Sequence, residues 1–218
     1  METHRQILDK VIELVWGNPL QEQLFERWSQ GFVLSPDEAT ALQQFTGGPC
    51  AIIAPVQAFL LKNIIPHYTM EQLKQISCAA VDGYLAATLT EMLCLCGSEA
   101  APQHYTHDTT TDACESEELS CRLRVVYLNN EASQSRVQAP RPVHQGGVVE
   151  CTDDVAPPLS PPSHTWFHSH LRIREFTCRD DLLDYIKSHL NDFKSIYGVL
   201  LFLYSALITR GASQELLK

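Results

Sequence analysis

The sequence predicts an α+β, mainly helical domain with one small sheet. Two observations argue for helices. Capping-box pairs at Thr3/Gln6 and Thr69/Gln72 precede apolar residues spaced three and four apart, and residues 197–209 are apolar on every face before an Arg210-Gly211 stop. A third observation limits the sheet: 121–128 is the clearest alternating stretch, Arg122 and Arg124 against Leu123, Val125 and Tyr127.

In chain order, Ile7, Val11, Leu14 and Val15 form one stripe, so residues 4–16 read as a helix that Gly17 and Pro19 end. Leu24, Phe25 and Trp28 mark a short helical turn whose aromatic density belongs to a core. Ser35-Pro36-Asp37-Glu38 offers an N-cap, a proline at N1 and a carboxylate at N3, predicting a short helix that ends near Gln44. Gly47-Gly48-Pro49 then forces a tight turn. The apolar run behind it predicts a helix starting at Cys50, kinked or tightened where Pro55 removes the bond to the Ala51 carbonyl. Met70, Leu73, Ile76, Ala80, Tyr84 and Ala87 extend the second capping box into one long helix ending before Gly97.

From 98 to about 165 Pro, Ser, Thr, Asp and Gln dominate, which reads as an acidic, Pro/Ser-rich insertion of low order holding one strand. Residues 166–176 are expected as a strand pairing with 121–128. Thr177 and Asp180 are expected to cap a helix with Asp180 and Asp181 at its start and Lys187 and His189 at its end. The chain thus divides into a helical part carrying Cys50 (1–97), the insertion (98–165) and a second core part (166–218).

Composition narrows the function. A formal charge of −10 argues against nucleic acid or an anionic membrane as the main partner and fits a protein with a basic face. No basic-plus-apolar leader follows Met1, and the longest apolar run, 197–209, is too short for a membrane span, so an intracellular protein is expected. Eight cysteines at irregular spacing then read as reduced thiols. Cys94-Leu95-Cys96 is not a zinc spacing and no Cys-x-x-Cys occurs, so no metal or other cofactor is expected, and a redox protein lacks its resolving pair.

The chemistry concentrates at Cys50. At a helix start the unpaired amides and the macrodipole favour a thiolate over a thiol, one way to make cysteine nucleophilic. Gln44, six residues upstream on the same loop, carries an amide able to donate to a developing oxyanion. The competing reading makes Cys50 a small buried hydrophobe under a glycine turn. His168 and His170, two apart on a strand, would share a face suited to a metal or a base, or else pack as ordinary histidines. Ser205 lacks a Gly-x-Ser-x-Gly setting and reads as a packed hydroxyl.

Trp28-Ser29-Gln30-Gly31-Phe32, the block from Gln43 through Gly47-Gly48-Pro49-Cys50 to Lys62, and the late block from Gly198 to Gly211 together resemble the MINDY family of cysteine deubiquitinases, nearest its third subgroup. The resemblance covers roughly 1–96 and 165–212. It implies a papain-like cysteine protease-type domain that hydrolyses ubiquitin isopeptide bonds, preferring lysine-48-linked polyubiquitin, with ubiquitin chains as partners and a nuclear or cytoplasmic location. By position it implies Cys50 as nucleophile and Gln44 in the oxyanion hole. The family's catalytic histidine lies in a Thr-His-x-Thr-Val type segment that this chain does not reach, so the resemblance implies a truncated domain. The alternative, from another class, is a non-catalytic ubiquitin-binding or protein-interaction module.

Overall fold

Thr3 starts the first helix through two reciprocal bonds. Its side chain accepts from the Gln6 amide at 3.3 Å, and the Gln6 side chain accepts from the Thr3 amide at 2.9 Å. Helix α1 (His4–Trp16) buries Leu8 and Val11 and ends at Gly17. The structure, a computed structural model, describes residues 2–97, 118–129 and 163–211; most of the expected insertion lies outside the described residues. Helix α2 (Glu22–Trp28) sets Phe25 among Trp16, Phe167 and Tyr197 at ring distances of 5.8, 5.4 and 6.0 Å, as a core reading requires.

The helix expected over 36–44 is absent. Ser35 Oγ accepts from the Asp37 amide at 3.2 Å, and the Glu38 carboxylate accepts from the Thr40 hydroxyl at 2.8 Å. Leu34 bridges Leu42, and the Gln43 amide donates to the Val33 carbonyl at 2.8 Å. Residues that cap helices also close turns, and here they close one.

Helix α3 (Cys50–Ile64) starts at the cysteine, as predicted, and runs through Pro55 without a break into a 3₁₀ turn at Ile65–His67. Ala51 and Pro55 are both exposed, so water can take the carbonyl that the proline leaves free. The Thr69/Gln72 box forms, but its helix, α4 (Met70–Leu73), stops after one turn. Helix α5 (Cys78–Gly97) restarts with the Ser77 hydroxyl accepting from the Ala80 amide at 3.2 Å, so the single long helix is corrected to two. The stretches Cys50–His67 and Cys78–Gly97 are each long and apolar enough to cross a membrane by length and composition. Polar residues interrupt both, so neither forms a continuous apolar run. Those residues join the helices: Asn63 Nδ2 donates to Thr88 and Glu91 at 3.1 and 2.9 Å, and Lys62 pairs with Glu91 at 2.7 Å.

Strand β1 (Glu118–Leu128) pairs antiparallel with β2 (Leu171–Cys178), Leu123 opposite Phe176 and Leu128 opposite Leu171. The strand expected to begin at 166 therefore begins five residues later. Before it runs helix α6 (His164–His170), with the Ser163 hydroxyl accepting from the Trp166 amide at 3.4 Å. Helix α7 (Arg179–Ser188) has the acidic start and Lys187 near its end, as predicted, with His189 as C-cap. Its N-cap is Cys178, the last residue of β2, with no side-chain bond, and not the expected Thr177 one residue earlier. Two more helices close the fold, α8 (Leu190–Lys194) and α9 (Gly198–Arg210).

Helix α9 is buried, as its apolar sequence requires, and packs on β1, α5 and α1. Among the described residues the sheet has two strands, both edges, and α9 closes the outer edge of β1 with hydroxyls. Ser205 Oγ accepts from the Val126 amide at 2.8 Å and donates to the Leu201 carbonyl at 2.6 Å. Thr209 Oγ1 accepts from the Arg124 amide at 2.9 Å and donates to its carbonyl at 3.0 Å. Ser205 is thus the packed hydroxyl the sequence indicated. Ser205→Ala leaves the buried Val126 N–H without an acceptor and is expected to destabilise by about 1–3 kcal/mol, read as a lower urea midpoint. An unchanged midpoint would show that the edge bond contributes nothing.

Candidate active site

Four anchors hold the loop between the Leu34–Leu42 bridge and α3. The Gln57 side chain, on α3, accepts from the Leu42 amide at 2.6 Å and donates to the Thr40 carbonyl at 2.9 Å. Gln30 is only 4% exposed; it donates to the Gln43 carbonyl at 3.0 Å and accepts from the Phe45 amide at 3.1 Å. At the end of α2, Arg27 Nε donates to the Gly47 carbonyl at 3.0 Å, while the Thr46 hydroxyl donates to the Arg27 carbonyl at 2.5 Å. Trp28 supplies the last anchor by packing under Gly48. A Cβ at Gly48 would lie 2.8 Å from Trp28 Nε1, and its φ of +145° is open only to glycine.

This loop delivers Cys50 to the first position of α3, where the Ile52 and Ile53 amides both donate to the Pro49 carbonyl at 2.9 Å. The cysteine is exposed, with Sγ 3.8 Å from the Gly48 carbonyl. Exposure overturns the reading of Cys50 as a buried hydrophobe. A helix start alone does not single it out, because Cys78 is also exposed and also begins a helix. What Cys50 has in addition is the anchored glycine loop.

Gln44 is exposed on that loop, and its Nε2 donates to the Thr46 carbonyl at 2.7 Å. The structure therefore places both sequence-predicted residues on one loop, with the Gln44 amide bonded to the loop rather than to the thiol. No described histidine hydrogen-bonds Cys50. His168 and His170 do not share a strand face: on α6 they lie about 200° apart around the helix. His170 stacks on Trp166 at 4.5 Å. His168 is buried, with Nε2 2.8 Å from the Tyr204 hydroxyl, which also accepts from Trp16. Burial, reinforced by neighbouring His164 and Arg5, holds its imidazole down at about 4, so it is neutral near pH 7. It borders an open cleft of about 600 Å³ between α1 and α6, lined also by Arg5, Asp9 and Glu13.

Reading the sequence by motif left Gln30 and Gln57 without a role. A visible signal existed for Gln57, a lone amide in the apolar run 51–61, seven residues and about two turns beyond Cys50 on the same helix face. Gln30 stands in the Trp28–Phe32 block, but nothing local pointed to this role, since its partners lie 13 and 15 residues away.

Fold and loop together define a mainly helical α+β domain that presents an exposed thiol at a helix start. The conserved domain described as "Deubiquitinating enzyme MINDY-3/4, conserved domain" matches residues 13–215, and the chain belongs to that family. Its relatives include the zebrafish (Danio rerio) ubiquitin carboxyl-terminal hydrolase MINDY-3, 36% identical over 93% of this chain and 42% of that protein. The human (Homo sapiens) MINDY-3 is 32% identical over 94% of this chain and 43% of its own length. The Drosophila melanogaster MINDY-3 homolog is 31% identical over 96% and 39%. The chain thus spans about two-fifths of the length of these relatives. No solved structure matches it.

Proposed function

We propose that this chain carries the nucleophile of a thiol-dependent ubiquitin isopeptide hydrolase with a papain-like arrangement. The observation that carries the proposal is the exposed Cys50 on its anchored loop, inside the segment matched to the deubiquitinase family. The Cys50 thiolate adds to the carbonyl carbon of ubiquitin's C-terminal residue, and the Gln44 amide donates to the oxyanion of the tetrahedral intermediate. Collapse expels the lysine amine, which takes a proton as it leaves, and forms a C–S thioester that water hydrolyses. The base and acid of this cycle are assigned to a histidine outside the described residues, because no described histidine hydrogen-bonds Cys50 and His168, held down at about 4, is a weak base already engaged with Tyr204. Lysine-48-linked chains as substrate, a nuclear or cytoplasmic location, and the division into 1–97, 98–165 and 166–218 belong to the same proposal.

The test is reaction with ubiquitin bearing a C-terminal electrophile, followed by mass mapping. We expect one adduct, at Cys50, absent after Cys50→Ala, with the exposed Cys78 unmodified as the internal control. Equal labelling of Cys78 would mean generic thiol reactivity. Binding of ubiquitin with no adduct would replace the hydrolase with a non-catalytic ubiquitin-binding module.

A further inference from the structure

Gln30 lies on no regular element, yet it is one of the few polar side chains buried among the described residues. It is rooted from below: its carbonyl accepts from the Val199 amide in the first turn of α9 at 3.0 Å, and the next amide but one, Phe32, donates to Phe193 at 3.0 Å. Between them, Gly31 passes so close to α8 that a Cβ there would stand 2.3 Å from the Lys194 carbonyl oxygen. The segment cannot shift without moving the core.

From this base the Gln30 side chain reaches the loop at two points that flank one residue. Its Nε2 donates to the Gln43 carbonyl and its Oε1 accepts from the Phe45 amide, so both peptide groups adjoining Gln44 are held by one buried amide. The Phe45 N–H only donates and the Gln43 carbonyl only accepts, so a single orientation of Gln30 satisfies both. The Phe45 side chain, in contrast, is 60% exposed, and neighbouring side-chain packing does little to fix this stretch.

We infer that Gln30 is a positioning residue that fixes the backbone of Gln44 for oxyanion binding, transmitting the rigidity of the α8–α9 junction to the catalytic loop. The inference rests on the acyl transfer proposed above. A donor displaced by a fraction of an ångström loses much of its effect on a transition state, so holding both flanking peptides is a rate device as well as a structural one.

Two measurements test it. In the wild-type chain, hydrogen exchange at the Phe45 amide is expected to be slow despite the exposed side chain; exchange at the rate of an open loop would overturn the inference without any variant. The second is transfer of ubiquitin from a C-terminal thioester to Cys50, in which the Cys50 thiolate forms the new C–S bond and the original thiolate departs. Gln30→Met is expected to slow this transfer about tenfold in the wild-type background and less than about twofold when Gln44 is already alanine. A merely structural role would give the same loss in both backgrounds, and that result would overturn the inference alone. No transfer to the wild-type chain would refute the proposed function and with it the purpose assigned to Gln30.

Discussion

Gln44→Ala is expected to slow ubiquitin transfer from a C-terminal thioester to Cys50 by about 10²- to 10³-fold. The oxyanion formed as Sγ adds carries charge absent from the ground state, so a donor aimed at it lowers the barrier rather than tightening binding. A primary amide has two N–H donors. The bond to Thr46 uses one Nε2 proton and fixes the amide plane, which leaves the other for substrate. A thioester suits the measurement because its thiolate leaves without a proton, so the general acid does not enter. Alkylation of Cys50 by iodoacetamide passes through no oxyanion and is expected to change by less than about twofold. Equal ubiquitin transfer with and without the Gln44 amide would remove it from the site.

Acidification from pH 7 to pH 4 is expected to cost about 3 kcal/mol of folding stability through His168 alone. Burial, with His164 and Arg5 acting the same way and Glu22 and Asp9 opposing, holds the native imidazole at about 4. The unfolded ring titrates near 6.5. Between those values the unfolded chain binds a proton that the native chain refuses, so this stability is complete above pH 6.5 and falls away as the pH approaches 4. His168→Gln retains a polar group facing Tyr204 but does not titrate, and is expected to flatten the acid limb of urea midpoints measured from pH 7 to 4. The residual slope belongs to carboxylates such as Glu91, whose bonds from Lys62 and Asn63 outweigh its burial and hold it low. Superimposable slopes for the two proteins would refute the assignment.

What the residues declare locally, they declare well. The boxes at Thr3 and Thr69 and the helix start at Cys50 could be read because each depends on partners within about four residues. For the same reason the placement of Cys50 at a helix start, with Gln44 on the loop before it, is legible from local sequence. Identical local chemistry also misled. Ser35-Pro36-Asp37-Glu38 matches a helix start, but the segment that follows is drawn to the Gln57 side chain and the Leu34–Leu42 bridge, so a turn prevails. His168 and His170 alternate as strand residues do, yet a helix turns one onto Tyr204 and the other onto Trp166.

By itself, then, the sequence determined the helix starts after Thr3, at Cys50 and after Thr69, which thiol stands at a glycine turn, and that residues 197–209 are buried. Only the tertiary structure decided whether that turn is held: Gln30, Arg27, Trp28 and Gln57 each reach across 13 or more residues to do so. The physical reason is range. A cap closes within one turn of backbone, whereas a buried amide finds its carbonyl only after the core has brought distant segments together.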